Sequence, residues 1–92
     1  MPGTILWDVD TQVDFMLPDG KLYVPGAEQT APAMERLVAA ARDAGLTHVA
    51  SADDHELTDP EIVDDPDFTN TYPPHCLRGT RGAQKVPETE QE

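Results

Sequence analysis

Ile5-Leu6-Trp7-Asp8-Val9-Asp10-Thr11-Gln12-Val13-Asp14-Phe15 sets an apolar run directly against a polar one. Ile5, Leu6 and Trp7 have the character of a strand buried on both faces, and polarity rises abruptly from Asp8 onward. The pattern predicts a strand over residues 4–9 with Asp10 at its end. In open α/β folds, ligands bind beyond the carboxyl ends of parallel strands, so a carboxylate at that place is a candidate for chemistry.

Working outward, residues 10–26 read as a loop rich in Asp, Pro and Gly, with Leu17-Pro18-Asp19-Gly20 as a turn. A helix follows from Glu28 or Thr30 to Ala44. Its positions Met34, Leu37, Val38 and Ala41 recur at i, i+3, i+4 and i+7 and give one narrow packing face. Thr30 is placed to cap its start, Pro32 suits the first turn, and Gly45 supplies a left-handed stop. Residues 46–52 then read as a second strand, ending at Asp53-Asp54-His55. Strand, helix and strand over this length predict a right-handed βαβ unit with a parallel sheet. Residues 56–68 are acidic and punctuated by proline, which predicts a long loop, and residues 86–92 are expected to fray.

Ninety-two residues bound the chain to one small domain or to a portion of one, and it shows no internal repeat. With 18 acidic residues against 6 basic ones, the formal charge is −12. That balance excludes nucleic acid and anionic membrane as partners, because phosphate recognition needs clustered Lys and Arg. The single cysteine, Cys76, excludes an internal disulfide framework and fits a reducing, cytoplasmic compartment. No apolar stretch is long enough to span a bilayer, and the first residues carry no signal-peptide pattern.

Four side chains stand out for their chemistry. Asp10 can orient a general base or a neighbouring nucleophile from the end of its strand. Asp53 and His55 are two apart, so they point the same way if extended geometry persists beyond the second strand. His75 sits in a Pro-framed turn twenty residues on, and two imidazoles with a carboxylate suit a divalent metal with open positions. Glu56, Glu61 and Asp64 are all candidates for a fourth ligand, and spacing does not choose among them. The plainer readings also stand: His55 caps a turn and His75 is a surface residue, while Asp14 caps a turn and His48 packs within its strand. Cys76 reads as a buried, inert thiol, because its neighbour His75 faces the opposite way. Gly79-Thr80-Arg81-Gly82 lacks the strand, helix and Lys-Ser/Thr context of a phosphate loop.

Four stretches in register carry a resemblance: Val9-Asp10-Thr11-Gln12-Val13-Asp14-Phe15, Val24-Pro25-Gly26-Ala27-Glu28, Ala52-Asp53-Asp54-His55 and residues 72–83, from Tyr72-Pro73-Pro74-His75-Cys76 to Ala83. With them the chain resembles the nicotinamidase branch of the isochorismatase-like cysteine hydrolases. The resemblance implies a doubly wound, Rossmann-like, three-layer α/β fold with a parallel sheet, of which residues 1–92 are a truncated N-terminal portion. It implies hydrolysis of a small amide, nicotinamide, to its acid and ammonia through a cysteine acyl-enzyme, and so a place in NAD metabolism. Asp10 then matches the triad aspartate. Asp53, His55 and His75 match ligands that hold zinc, iron or manganese near the substrate's ring nitrogen, and Phe15 and Tyr72 match aromatic residues lining the pocket.

The family's catalytic Lys and nucleophilic Cys come later than the segment around His75, and neither has a match here. Lys85 falls too early, Lys21 lies in the first loop, and Cys76 matches the cysteine beside the metal-binding histidine. The expected partners are therefore a small amide and either a complementary C-terminal half or a second copy of the chain. Two other readings remain open: a non-catalytic remnant that binds metal or a partner, and a different isochorismatase-like amidase acting on another small amide or a vinyl ether.

Overall fold

In the computed structural model, which describes residues 3–90, strand β1 (Ile5–Val9) and strand β2 (Thr47–Ser51) lie parallel. Their register runs from Ile5 opposite Thr47 to Val9 opposite Ser51. A single-turn helix, α1 (Val13–Met16), follows β1, and helix α2 (Ala31–Asp43) joins the two strands as the crossover. Short 3₁₀ turns occupy Ala27–Thr30, Arg81–Ala83 and Pro87–Thr89. The α/β class and the parallel pairing expected from the sequence are both present.

The stop of α2 follows its sequence signal. Gly45 takes a left-handed φ of 73°, its N–H donates to the Arg42 carbonyl, and the Leu46 N–H reaches back to Ala41. Those two bonds form a Schellman ending, which satisfies carbonyls that the helix would otherwise leave open. The start differs from expectation. Thr30 makes no side-chain cap; its hydroxyl donates to the Ala27 carbonyl at 2.6 Å, inside the 3₁₀ turn that leads into the helix. Leu37 is a second correction, since Val38 and Ala41 are buried while Leu37 is 56% exposed. The helix packs on β2 and on the Pro87–Thr89 turn, and Leu37 falls outside that narrow contact.

Strand β1 is not covered on both faces. Ile5, Trp7 and Val9 are 56%, 60% and 57% exposed, whereas Leu6 and Asp8 on the opposite face are half-buried. Side chains alternate across a strand, so a covering layer on one side leaves the odd-numbered set open. The compact centre lies beyond the strand ends, where Val13, Met16 and Val86 pack with Leu17, Ala27 and Met34. Val86 and Thr89 are each 1% exposed, so the expected fraying does not hold through Glu90; residues 91 and 92 lie outside the described residues. Their burial follows from the Val86 N–H donating to the Thr11 carbonyl and from hydroxyl contact between Thr89 and Thr11.

Between β2 and the Arg81–Ala83 turn the chain holds isolated bridges and turns, as its proline and acidic content implies. His55 pairs with Leu77 and Ile62 with Tyr72, which folds the acidic loop back on itself and buries Ile62. No helix among the described residues is long and apolar enough to cross a membrane.

Candidate metal centre

Strand β2 ends at Ser51, and the chain pairs again at His55. The His55 N–H donates to the Cys76 carbonyl at 3.2 Å, and the Arg78 N–H donates to the His55 carbonyl at 2.9 Å. This pairing brings the 53–55 and 75–77 segments side by side. As a result Asp53 Oδ2 lies 3.5 Å from His55 Nε2 and 3.5 Å from His75 Nε2. The donor atoms of all three residues fall within 4.8 Å of one another. His75 is 3% exposed, so it is no surface residue.

The far nitrogens of both rings are already engaged. His75 Nδ1 lies 2.7 Å from the Pro73 carbonyl, and His55 Nδ1 lies 3.1 Å from Asp59 Oδ2 and 3.4 Å from Glu61 Oε1. An oxygen acceptor at Nδ1 fixes the proton there and leaves Nε2 as a lone-pair donor. Two imidazoles and one carboxylate, with donor atoms this close together, fit a divalent cation. Among the fourth-ligand candidates, Glu61 lines the same cleft, while Glu56 is drawn away by Arg78 Nη1 at 2.7 Å and Asp64 is exposed.

The cleft holds about 290 Å³ and is lined by Phe15, Leu22, Asp53, His55, Glu61, Tyr72 and His75. Its aromatic side chains surround the buried imidazole, with ring centroids 5.5 Å (Phe15) and 6.3 Å (Tyr72) from that of His75. Asp10 lies beyond Phe15, in an adjoining open cavity of about 530 Å³ lined also by Thr11, Met16, Val24 and Met34. Asp10 has a left-handed φ of 56°. Its N–H donates to the Ser51 carbonyl at 3.0 Å, and the Ser51 hydroxyl donates to its Oδ1 at 3.3 Å. The carboxylate is thus held where β1 meets the loop, with its neighbouring strand supplying both contacts.

Cys76 is fully buried, with a left-handed φ of 47°. Burial, together with the negative charges of Asp14, Asp53 and Asp10, pushes its thiol up to about 12. A thiol in that state is not the nucleophile of a neutral-pH reaction.

Sequence reasoning did not anticipate the long-range contacts of Asp14, Gln12 and Lys85. Asp14 is no local turn cap. Its carboxylate is 5% exposed and accepts the Cys76 N–H at 2.7 Å and the Lys21 N–H at 3.0 Å. Gln12 is fully buried and its amide bonds to the backbone of Asp53 and Ala83. Lys85 lies beside Asp8, which also contacts His48 and Thr11. Burial alone would raise the Asp8 pKa, but the hydrogen bonds from Lys85, His48 and Thr11 outweigh it and hold the carboxyl below its ordinary value.

A family model described as the isochorismatase domain matches residues 4–92. The nicotinamidase/pyrazinamidase of Mycobacterium tuberculosis is 37% identical over 81 residues, covering 86% of this chain and 41% of that protein. The crystal structure of the pyrazinamidase of Pyrococcus horikoshii in complex with zinc superposes with a TM-score of 0.73 at 30% identity, covering 89% of this chain and 44% of that one. An isochorismatase family protein from Desulfovibrio vulgaris gives a TM-score of 0.78 at 28% identity, covering 96% and 47%. The chain spans less than half the length of each of these relatives.

Proposed function

The chain belongs to the isochorismatase family, and from that premise we propose that it forms the metal-holding half of a nicotinamidase-like amide hydrolase site. The observation that carries this is the convergence of His55 Nε2 and His75 Nε2 on Asp53 Oδ2, at 3.5 Å each, inside an aromatic cleft.

Asp53, His55 and His75 hold the ion, with zinc, iron or manganese as the metals this donor set suits. When bound, the ion supplies a Lewis-acidic point that fixes the ring nitrogen of the amide substrate. Phe15 and Tyr72 flank the ring, because they stand at the walls of the same cleft. Asp10 serves the attack step by orienting the groups that take and give the proton, from a backbone position braced by Ser51. The attacking thiolate comes from neither Cys76 nor its surroundings, since that thiol is buried and raised to about 12. Turnover through an acyl-enzyme therefore draws on a cysteine and a lysine that these 92 residues do not include. The lone cysteine supports a reducing, cytoplasmic setting.

The test is metal content and ligand binding of the chain. Purified protein is expected to hold about one divalent ion, and His55→Ala a small fraction of that. Nicotinamide is expected to bind the metal-loaded chain more tightly than benzamide, which lacks the ring nitrogen. Equal metal content in native protein and variant, or equal binding of the two amides, removes the proposal.

A further inference from the structure

The three proposed ligands sit on two separate segments, and both segments are tied to the first turn after β1 by buried polar side chains. Gln12 is fully buried, and its amide makes three hydrogen bonds: Oε1 accepts the Asp53 N–H at 2.9 Å, while Nε2 donates to the carbonyls of Asp53 and Ala83, each at 2.8 Å. The peptide groups on both sides of Asp53 are therefore pinned by one side chain. Asp14, two residues on, does the same for the other segment. Its Oδ2 accepts the Cys76 N–H at 2.7 Å, directly after His75, where the backbone holds a left-handed φ of 47°. The second oxygen is taken by the Lys21 N–H, and the space beside the carboxylate is closed by Gly82, where a Cβ would overlap it. His55 is joined in turn through its N–H to the Cys76 carbonyl.

From this arrangement we propose that Gln12 and Asp14 are positioning residues for the metal centre, resting on the assignment of Asp53, His55 and His75 as ligands. Neither side chain is among the three donors. Each holds the backbone that aims a ligand: Gln12 for Asp53, Asp14 for His75. The three-atom donor set spans residues far apart in sequence; the His55–Leu77 backbone pairing sets the two segments side by side, and these buried contacts anchor each of them to the turn after β1. Groups that orient metal ligands typically contribute 10–100-fold to affinity. Because Gln12 and Asp14 follow Asp10 by two and four residues, the same turn that carries the acid–base carboxylate carries the frame of the metal site.

Cobalt(II) titration of the full chain, followed by its visible absorption, tests this. Gln12→Met keeps the side-chain length and removes all three bonds; Asp14→Asn keeps one acceptor and turns a donor toward a donor. Both are expected to weaken cobalt binding tenfold or more and to shift the absorption bands. Ala41→Gly, in the buried face of α2 away from the site, is expected to lower the melting temperature while leaving bands and affinity unchanged. If Gln12→Met has no folded state, Asp14→Asn decides. Native cobalt binding with unchanged affinity and bands in the folded variants overturns the inference alone. No cobalt binding by the native chain overturns the ligand assignment and this inference with it.

Discussion

Lys85 Nζ lies 2.7 Å from Asp8 Oδ1, with the lysine side chain 17% and the aspartate side chain 9% exposed. This pair stitches the segment after the Arg81–Ala83 turn onto β1, helped by bonds from Nζ to the Ser51 carbonyl and to Thr11 Oγ1. Removing Lys85 leaves Asp8 with its His48 and Thr11 contacts but no fixed cation beside it, so Lys85→Met is expected to cost about 1–3 kcal/mol of stability at neutral pH. The acid arm follows from Asp8, whose folded pKa is held below the unfolded value near about 3.9. Its contribution is present above that value and is lost as pH falls through the lower folded pKa. Urea melts at pH 7 and below pH 4 should show the native and Lys85→Met proteins converging in acid. A constant difference across that range contradicts the pairing.

Cys76 makes an alkaline prediction of opposite sign. Its thiol is raised to about 12 when folded, first by burial and then by the charges of Asp14, Asp53 and Asp10. Its stabilising contribution is complete below the unfolded value near about 8.5 and is lost as pH rises toward 12. Cys76→Ala should flatten the decline of stability above pH 8.5. A disulfide reagent should modify the native thiol only at the rate of chain opening, and at once in denaturant. Rapid modification of folded protein shows that the thiol is neither buried nor raised.

Gly82 closes against the Asp14 carboxylate, and its backbone has no positive φ, so an added methyl group meets a steric obstacle alone. Gly82→Ala is expected to cost about 1–3 kcal/mol, the usual range for overfilling a packed place. Gly79→Ala differs, because Gly79 has open space but a φ of 81°. It should cost less, on the order of 1 kcal/mol from backbone strain. Thermal melts of the two variants separate the cases, and a larger loss at Gly79 contradicts the placement of Asp14.

These outcomes also mark what local pattern can disclose. The body of α2 and its ending at Gly45 are visible in the chain because apolar spacing and a left-handed glycine act over a few residues. Gln12 and Asp14 are not, since their partners Asp53 and Cys76 lie 41 and 62 residues away. An Asp after a strand caps a turn or ties down a distant segment with the same side chain, and only the fold distinguishes them. Trp7 shows the limit from the other side: its apolar character marks a strand, but whether that face is covered depends on layers that β1 does not encode.

Glu61 supplies the last prediction, because three carboxylates compete as supports of the proposed metal site. Glu56 is committed to Arg78, which also takes Asp54 at 2.9 Å and 2.8 Å. Asp64 is exposed and outside the cleft. Glu61 lines the cleft with its Oε1 3.4 Å from His55 Nδ1, on the far side of the ring from Asp53. From there it would act with Asp59 to orient the imidazole, or would reach a bound ion itself; these are the two roles to separate. Either role makes Glu61→Gln weaken zinc binding by about tenfold, while Glu56→Gln and Asp64→Asn leave it within about twofold. Competition titration against a chelator of known affinity measures all three. The two roles then part on Asp59→Asn, which weakens binding further in the Glu61→Gln background only if Asp59 still holds the ring. Loss on replacing Glu56 rather than Glu61 means that the Arg78 pair breaks to release a ligand.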